Sequence, residues 1–286
     1  MMDRLRHPIW AILVALTLGA ACTKTANSDF EQGLAAFDEG DYEAAAKNWR
    51  RAGDEGEARA QYKLGALYDM GLEGWDDSAK AAQWYRRAAR QGHARAQHRL
   101  GEAYFDGRGV TEDSDAALEW QRKAADQGLA VAEETLRMYQ RKLRRRAYRK
   151  GNEHYQQENY AAALEQWRPL AEDGVAAAEF RLGWLYAQGE GVEQDFEKAF
   201  QWYRKAAEQG VRMAQHNLGF IYMQGRGVTA DAEKAAHWFR KAAESGLPRS
   251  QYRLGVLYIN GRGVEQDEEK ARRGLDRARE QLGRLE

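Results

Sequence analysis

The sequence is poor in cysteine, proline and net charge, and each shortage excludes something. The single cysteine, Cys22, excludes an intrachain disulfide, so packing and hydrogen bonds must hold the fold together. Only three prolines occur among 286 residues, a composition that favours uninterrupted helices. Lys and Arg together number 44, as do Asp and Glu, so no excess of positive charge indicates a nucleic acid partner.

A single long apolar run stands near the beginning of the chain. It follows Arg4 and Arg6, covers residues 9–16, and is followed by the small residues 19–21. The run is too short to span a bilayer and is typical of the core of a secretory signal peptide. We therefore predict a signal peptide over residues 1–21.

Cys22 directly follows these small residues. The stretch Leu18–Cys22 resembles the lipobox of bacterial lipoproteins, whose cysteine is lipidated and becomes the mature N-terminus. The resemblance implies that Cys22 is the lipidation site, that residues 22–28 form a flexible tether, and that the protein is exported and membrane-anchored. Thr23, which is not aspartate, fits an outer-membrane location facing the periplasm. Gly19 stands where a bulky aliphatic residue is usual, so a soluble periplasmic protein is the alternative.

The rest of the chain is built from repeats. Leu-Gly pairs recur every 36 residues within each half, and the two halves align without insertion at an offset of 118 residues, as Trp49 and Trp167 illustrate. The pattern indicates an internal duplication of an array that is itself repetitive. The pairs are Leu64-Gly65, Leu100-Gly101, Leu182-Gly183, Leu218-Gly219 and Leu254-Gly255.

Each repeat predicts two amphipathic helices. In one copy, Ala178 and Leu182 lie on one face of the first helix, while Trp202 and Tyr203 lie on the apolar face of the second. Glycine inside a helix costs about 1 kcal/mol relative to alanine. We therefore expect Gly183 to mark the close approach of a neighbouring helix, at a place where a Cβ would not fit.

Gly-Arg-Gly-Val occurs three times and Gly-Glu-Gly-Val once, between the two helices of a repeat. A phosphate-binding loop follows a strand and precedes a helix, whereas these loops follow a helix. We predict that the first glycine ends one helix in the left-handed conformation, that an aspartate caps the next, and that the valine packs between them. The glycines are Gly107, Gly189, Gly225 and Gly261, and the aspartates are Asp113, Asp195, Asp231 and Asp267.

These repeats resemble Sel1-like repeats, which are relatives of the tetratricopeptide repeat. Three copies contain RLGWLYAQGEGV, HNLGFIYMQGRGV and HRLGEAYFDGRGV, and a last copy with YRLGVLYINGRGV has Arg273 and Gly274 in place of its aromatic pair. The resemblance implies an all-α fold, namely a right-handed α-solenoid of stacked antiparallel helix hairpins. It divides the chain into a first repeat array over residues 29–140 and a second over residues 151–286, which ends in a C-terminal cap.

Three segments depart from the repeat pattern. Residues 30–56 and 148–174 lack the Leu-Gly pair and the Gly-x-Gly-Val loop, and resemble plain tetratricopeptide hairpins. Residues 141–150 contain no glycine or proline and are strongly basic, so we predict a basic connecting helix. We interpret it as a solvated connector; if it binds anything, the candidates are anionic lipid headgroups or an acidic partner. Its basic residues are Arg141, Lys142, Arg144, Arg145, Arg146, Arg149 and Lys150.

Motifs for catalysis and metal binding are scarce. No serine lies in Gly-x-Ser-x-Gly or Ser-x-x-Lys, and the six histidines include no His-Glu-x-x-His. His98 and His216 share a repeat position that aromatic residues fill in other copies, which favours a surface or packing role over metal binding. We therefore predict a protein without enzyme activity, metal or cofactor. The alternative is a cell-envelope enzyme or a binder of small cell-wall fragments, which would need a deep pocket with convergent polar groups.

The resemblance also implies a binding surface. In tetratricopeptide proteins, ligands lie in a concave groove lined by the first helix of each hairpin. The corresponding positions vary between copies here, and many in the second array are aromatic or Met, which are plausible binding anchors. We predict that this groove binds another protein or peptide of the cell envelope. The predicted groove residues are Tyr62, His98, Phe105, Phe180, Trp184, His216, Phe220, Met223, Tyr252 and Ile259.

Overall fold

A computed structural model describes residues 28–71 and 76–282, and within these ranges the chain forms 14 helices and no strand. The signal peptide, Cys22 and all of the predicted tether except Ser28 lie outside the described residues, and Ser28 is already helical. The helices are α1 (28–38), α2 (Tyr42–Asp54), α3 (Ala58–Asp69), α4 (Ser78–Arg90), α5 (Ala94–Asp106), α6 (Ser114–Ala125), α7 (Ala130–Gln156), α8 (Tyr160–Glu172), α9 (Ala176–Gln188), α10 (Phe196–Glu208), α11 (Arg212–Gln224), α12 (Ala232–Glu244), α13 (Pro248–Asn260) and α14 (Glu268–Leu282).

The chain divides into two compact units, Met1–Arg141 and Lys142–Glu286, with the boundary inside α7. In the first unit, α3 pairs with α4 and α5 with α6; in the second, α9 pairs with α10, α11 with α12 and α13 with α14. The second helix of each of these hairpins also packs against the first helix of the next hairpin in its unit. Each unit is therefore a stack of hairpins, and the predicted all-α solenoid fold is confirmed.

The loops inside the repeats cap the helices on both sides, as predicted. The four first glycines end α5, α9, α11 and α13 with φ between +58° and +74°, in the left-handed region. The four aspartates each accept a backbone N–H at the start of the following helix; for Asp195 the donor is Lys198, at 2.9 Å. This backbone hydrogen bond and the Lys198 side chain lower the pKa of the Asp195 carboxyl below its ordinary value.

The glycine of each Leu-Gly pair marks a close helix approach, which confirms the prediction. A Cβ on Gly183 would lie 2.6 Å from the ring of Tyr203 on α10, and one on Gly219 would lie 2.8 Å from Phe239 on α12. The two plain hairpins use the same device, because Gly33 lies against Trp49 and Gly151 lies against Trp167. These hairpins are therefore closer to the other repeats than their sequences indicate.

The second glycine of each loop has a role that the sequence analysis missed. Gly109, with φ of +67°, lies against the backbone of Ser78, the first residue of the preceding hairpin's second helix. Gly191 lies in the same way against Tyr160 in the second unit. A side chain at these positions would collide with main-chain atoms, so the loop joins consecutive hairpins as well as the two helices of one hairpin.

The long helix α7 begins as the first helix of another repeat. Arg137 stands 36 residues after Gly101, at the position of the repeat glycine, but no hairpin partner follows directly. Its side chain is accordingly exposed and pairs with Glu133 at 3.0 Å. Residues 141–150 are helical within α7. None of the described helices combines the length and the apolar character needed to cross a membrane.

The last hairpin differs from the expected cap by one position. Asp267 and Asp195 are equivalent helix caps, so Trp202 and Tyr203 correspond to Gly274 and Leu275. The predicted replacement by Arg273 and Gly274 was therefore wrong. Leu275 fills the tyrosine position, since a Cβ on Gly255 would lie 3.0 Å from it.

Candidate functional site

The predicted groove residues all lie on the first helices of the hairpins. We call the surface formed by these positions of the first helices the first-helix face. Tyr252 and Ile259 on α13 are its most exposed predicted members, with 49% and 45% of their surface accessible. The others are half-buried or buried. The half-buried members are Tyr62, Phe105, Phe180, Trp184, Phe220 and Met223.

His98 and His216 are buried, which contradicts their predicted place among the groove contacts. Only 8% of His98 and 6% of His216 is accessible. The ring nitrogen Nδ1 of His98 lies 2.8 Å from Oε1 of Gln121, and Nδ1 of His216 lies 2.7 Å from Oγ of Ser250. Each histidine is thus a hydrogen-bonded core residue, the packing role that the sequence analysis named beside the surface one.

In the second unit, Trp184 of α9 and Phe220 of α11 line one cleft of about 300 Å³. The indole N–H of Trp184 donates to the hydroxyl of Tyr155 at 3.0 Å, which fixes the ring at the side of the cleft. Phe220 packs edge-on against Phe239, and the guanidinium of Arg253 lies 4.8 Å from its ring centre. The cleft is rimmed by polar side chains, namely Gln188, Gln194, Asn217, Gln224 and Arg226.

Three other predicted groove residues are held by contacts within their own unit. Phe105 stacks on Tyr139 with ring centres 3.6 Å apart, and Tyr62 stacks on His93 at 4.8 Å. Phe180 contacts the buried ring of Tyr203 with ring centres 5.8 Å apart. Met223, like Phe220, packs against the core around Phe239.

The first-helix face of the first unit exposes residues that the prediction left out. Val131 and Met138 on α7 are both exposed, as is Met70 after α3. Val131 lies 36 residues after Arg95, a position equivalent to those of the predicted groove. The period therefore carried the signal, but the predicted groove was not extended to this last first helix of the first array.

A ladder of glutamine hydrogen bonds joins consecutive hairpins and was also missed. The Gln61 amide donates to the carbonyl of Gly53 on the preceding helix at 2.8 Å, and its oxygen accepts from Gln91 at the same distance. These bonds satisfy carbonyl groups at the end of the preceding helix. The signal was the recurrence of glutamine at 36-residue spacing. Equivalent donors to the preceding helix are Gln97, Gln215 and Gln251, and Gln97 also accepts from Gln127.

The basic residues predicted between the arrays are exposed along α7. Arg144 pairs with Asp173 of α8 at 3.4 Å, and Arg149 pairs with Glu153 one turn later at 3.6 Å. Neighbouring carboxylates thus offset part of the charge. Elsewhere in the described part of the chain, no group of three or more His, Cys, Asp or Glu side chains could hold a metal ion.

The stacked hairpins define an α-solenoid repeat protein. The Sel1 repeat family model matches residues 58–93, 94–129, 176–211, 212–247 and 248–278, which together make up more than half of the chain. The protein therefore belongs to the Sel1 repeat family. Proteins built from Sel1 repeats are generally protein-interaction scaffolds, and the family is typically non-catalytic.

Two solved structures are similar in sequence. A protective antigen of uropathogenic Escherichia coli strains, displaying an SLR fold, is 34% identical over 82% of this chain and 48% of its own, with a TM-score of 0.44. A Sel1 repeat protein from Oxalobacter formigenes is 32% identical over 87% of this chain and 96% of its own, with a TM-score of 0.42. The chain thus spans about half the length of the first relative. No curated protein matches it.

Proposed function

We propose that this protein is a non-catalytic scaffold of the bacterial cell envelope that binds a protein or peptide on the first-helix face of its second unit. The observation that carries the proposal is the combination of exposed Tyr252 and Ile259 with the cleft between Trp184 and Phe220. Apolar side chains on an otherwise hydrophilic protein mark interaction surfaces. Aromatic residues in particular supply much of the binding energy at such surfaces.

The cleft favours a peptide segment as its occupant. Its apolar sides, Trp184 and Phe220, suit one apolar side chain of the partner. The amides of Gln188, Asn217 and Gln224 at the rim each offer a donor and an acceptor, which is what a peptide backbone requires. We expect an apolar anchor in the cleft, with the flanking backbone hydrogen-bonded to the rim.

The test uses a double substitution that adds charge at exposed positions without opening the core. Tyr252→Glu with Ile259→Glu should abolish the crosslinked capture of a partner from envelope extracts, because carboxylates would be buried against the partner's apolar groups. Circular dichroism should show unchanged helical content.

The matched control places the same charges on second helices. Gln201→Glu with His237→Glu alters exposed residues of α10 and α12, so partner capture should persist. Capture that survives Tyr252→Glu with Ile259→Glu, in a protein that remains folded, would show that the first-helix face is not the binding surface.

We further propose that Cys22 is lipidated and anchors the scaffold to a membrane. The scaffold would then bind partners that are held at the same membrane. The proposal rests on the lipobox-like stretch Leu18–Cys22. Anchoring raises the effective concentration of the binding face near membrane-bound partners. Metabolic labelling with a fatty-acid analogue should mark the wild-type chain and leave Cys22→Ser unlabelled. Label on Cys22→Ser, or none on a wild-type protein cleaved after Ala21, would contradict the anchor.

A further inference from the structure

Four second helices, α4, α6, α10 and α12, share a half-buried tryptophan beneath a cation. Three residues after each tryptophan stands an Arg or Lys whose charged group lies over the indole. The distances to the ring centre are 4.4 Å for Arg87 over Trp84, 4.3 Å for Lys123 over Trp120, 4.1 Å for Lys205 over Trp202 and 4.8 Å for Lys241 over Trp238. The indole thus lies between a cation and the hairpin stack.

The contact of Trp84 shows what lies beneath the indole. A Cβ on Gly53, near the end of the preceding second helix, would lie 3.3 Å from the ring of Trp84. For the tryptophan position of the last hairpin, the residue equivalent to Gly53 is Ala243, on α12 of the preceding hairpin. A small residue there leaves room for the ring.

In the last hairpin the tryptophan position is vacant. Gly274 replaces the tryptophan, while the cation three residues later remains as Arg277. A cleft of about 290 Å³ occurs at this place, and its lining includes Gly274, Arg277 and Ala243. The last hairpin thus retains the cation and the small residue but not the indole, and its backbone lies close to α13, since a Cβ on Gly274 would lie 3.2 Å from the carbonyl oxygen of Gln251.

The cleft also contains a buried polar group without a partner. Gln251 lines it and is buried, yet its side-chain oxygen has no hydrogen-bond partner among the described residues. The equivalent oxygens of Gln61 and Gln97 each accept a hydrogen bond from another glutamine, whereas that of Gln215 also has no partner, although Trp238 fills the tryptophan position of its hairpin. A buried acceptor without a partner is unfavourable, so a ligand that brings a donor gains from it.

The charge around the cleft is mainly positive. Arg240, Lys270, Arg273 and Arg277 line it, against the single carboxylate of Glu244. Lys270 also pairs with the helix cap Asp267 and Arg273 with Glu269, whereas Arg240 and Arg277 form no ion pair within the described ranges. An anionic ligand is therefore favoured over a cationic one.

We infer that the vacant tryptophan position binds an aromatic side chain carried by an acidic segment of a partner protein. The ring takes the place of the missing indole beside Arg277, a tryptophan N–H or tyrosine O–H donates to Gln251, and flanking carboxylates face Arg240 and Arg273. The site is formed by α12, α13 and α14 and contains neither Tyr252 nor Ile259. It is therefore a second binding site, separate from the first-helix face.

The test titrates the full chain with acetyl-Asp-Trp-Asp-amide and follows binding by NMR. Saturable shifts are expected at residues of α13 and α14. Gly274→Trp should weaken binding by at least about tenfold, because the protein's own indole then fills the site as in the other hairpins. Acetyl-Asp-Ala-Asp-amide should bind at least about tenfold more weakly than the tryptophan peptide.

The control variant is Arg272→Trp, which adds a tryptophan to α14 at an exposed position outside the cleft and should leave binding unchanged. Equal binding of the tryptophan peptide to wild type and Gly274→Trp would overturn the inference. So would equal affinity for the alanine peptide, which would reduce the site to a charged patch, or a wild-type protein that binds neither peptide. Loss of partner capture by the first-helix face does not bear on these results, so the two proposals fail separately.

Discussion

The hairpin α5–α6 of the first unit and the hairpin α11–α12 of the second bury a histidine at the same position but satisfy it differently. In the first, Gln121 lies against His98, with its oxygen at the ring nitrogen and its amide donating to the His98 carbonyl at 3.0 Å. In the second, Phe239 occupies the position of Gln121, and the ring of His216 turns instead to Ser250 on the next first helix.

The difference shows that equivalent buried histidines can be satisfied by different hydrogen-bond partners. A buried ring nitrogen requires a partner, and Phe239 provides none. Ser250 provides one from a position that is otherwise alanine, and it is fully buried. The serine and the phenylalanine therefore act as a compensating pair that couples two successive hairpins. The equivalent alanines on other first helices are Ala60, Ala96, Ala132, Ala178 and Ala214.

The largest effect is expected when the residues that surround His216 are introduced around His98 in the first unit. Gln121→Phe should lower the free energy of unfolding by about 3 kcal/mol, because His98 loses its partner and a larger ring enters a packed site. Adding Ala132→Ser, at the position equivalent to Ser250, should restore about 1 kcal/mol. Urea denaturation of the two variants measures both steps. A double variant no more stable than Gln121→Phe would refute the compensation.

A smaller effect is expected from removing the hydroxyl of Ser250, which pairs with His216. Ser250→Ala should destabilise the protein by about 2 kcal/mol, since it leaves the ring nitrogen of His216 buried and unpaired. Ser245→Ala, at an exposed position near the end of the hairpin, serves as the control and should change stability by less than about 0.5 kcal/mol. Equal effects of the two substitutions would mean that the buried hydrogen bond contributes little.

The smallest effect is a dependence on pH that belongs to His216. Burial, with Arg253 and Arg249 nearby, lowers the pKa of His216 from 6.5 to about 4. Protonation therefore favours the unfolded chain, so the histidine's full contribution is present above pH 6.5 and is lost as pH falls towards 4. At pH 5.5 the loss relative to pH 7.5 should be about 1 kcal/mol.

The measurement compares denaturation of wild type and His216→Phe at the two pH values. Other groups, including His93, whose pKa burial also lowers, are present in both proteins, so the difference between them isolates His216. A His216→Phe protein that loses as much stability on acidification as wild type would contradict the assignment.

Much of the architecture followed from the sequence because it depends on local or strictly periodic features. The left-handed glycine of each loop and the aspartate that follows it belong to one short segment, whose backbone conformation its own residues decide. The close approach at Gly183 was also predictable, since glycine inside a helix is unfavourable unless a neighbour requires it. The repeat period then carried each inference from copy to copy.

The exposure of particular side chains was decided by tertiary structure, because burial depends on which residue arrives from another hairpin. His98 and Tyr252 occupy the same repeat position, yet the first is covered and the second is open to solvent. The period equates the two, but only the fold shows that Gln121 pairs with one of them. The vacancy beside Gly274 likewise has meaning only against the tryptophans that fill its counterparts. Sequence alone determined the repeating framework of this protein, and three-dimensional packing decided where that framework leaves a surface free to bind.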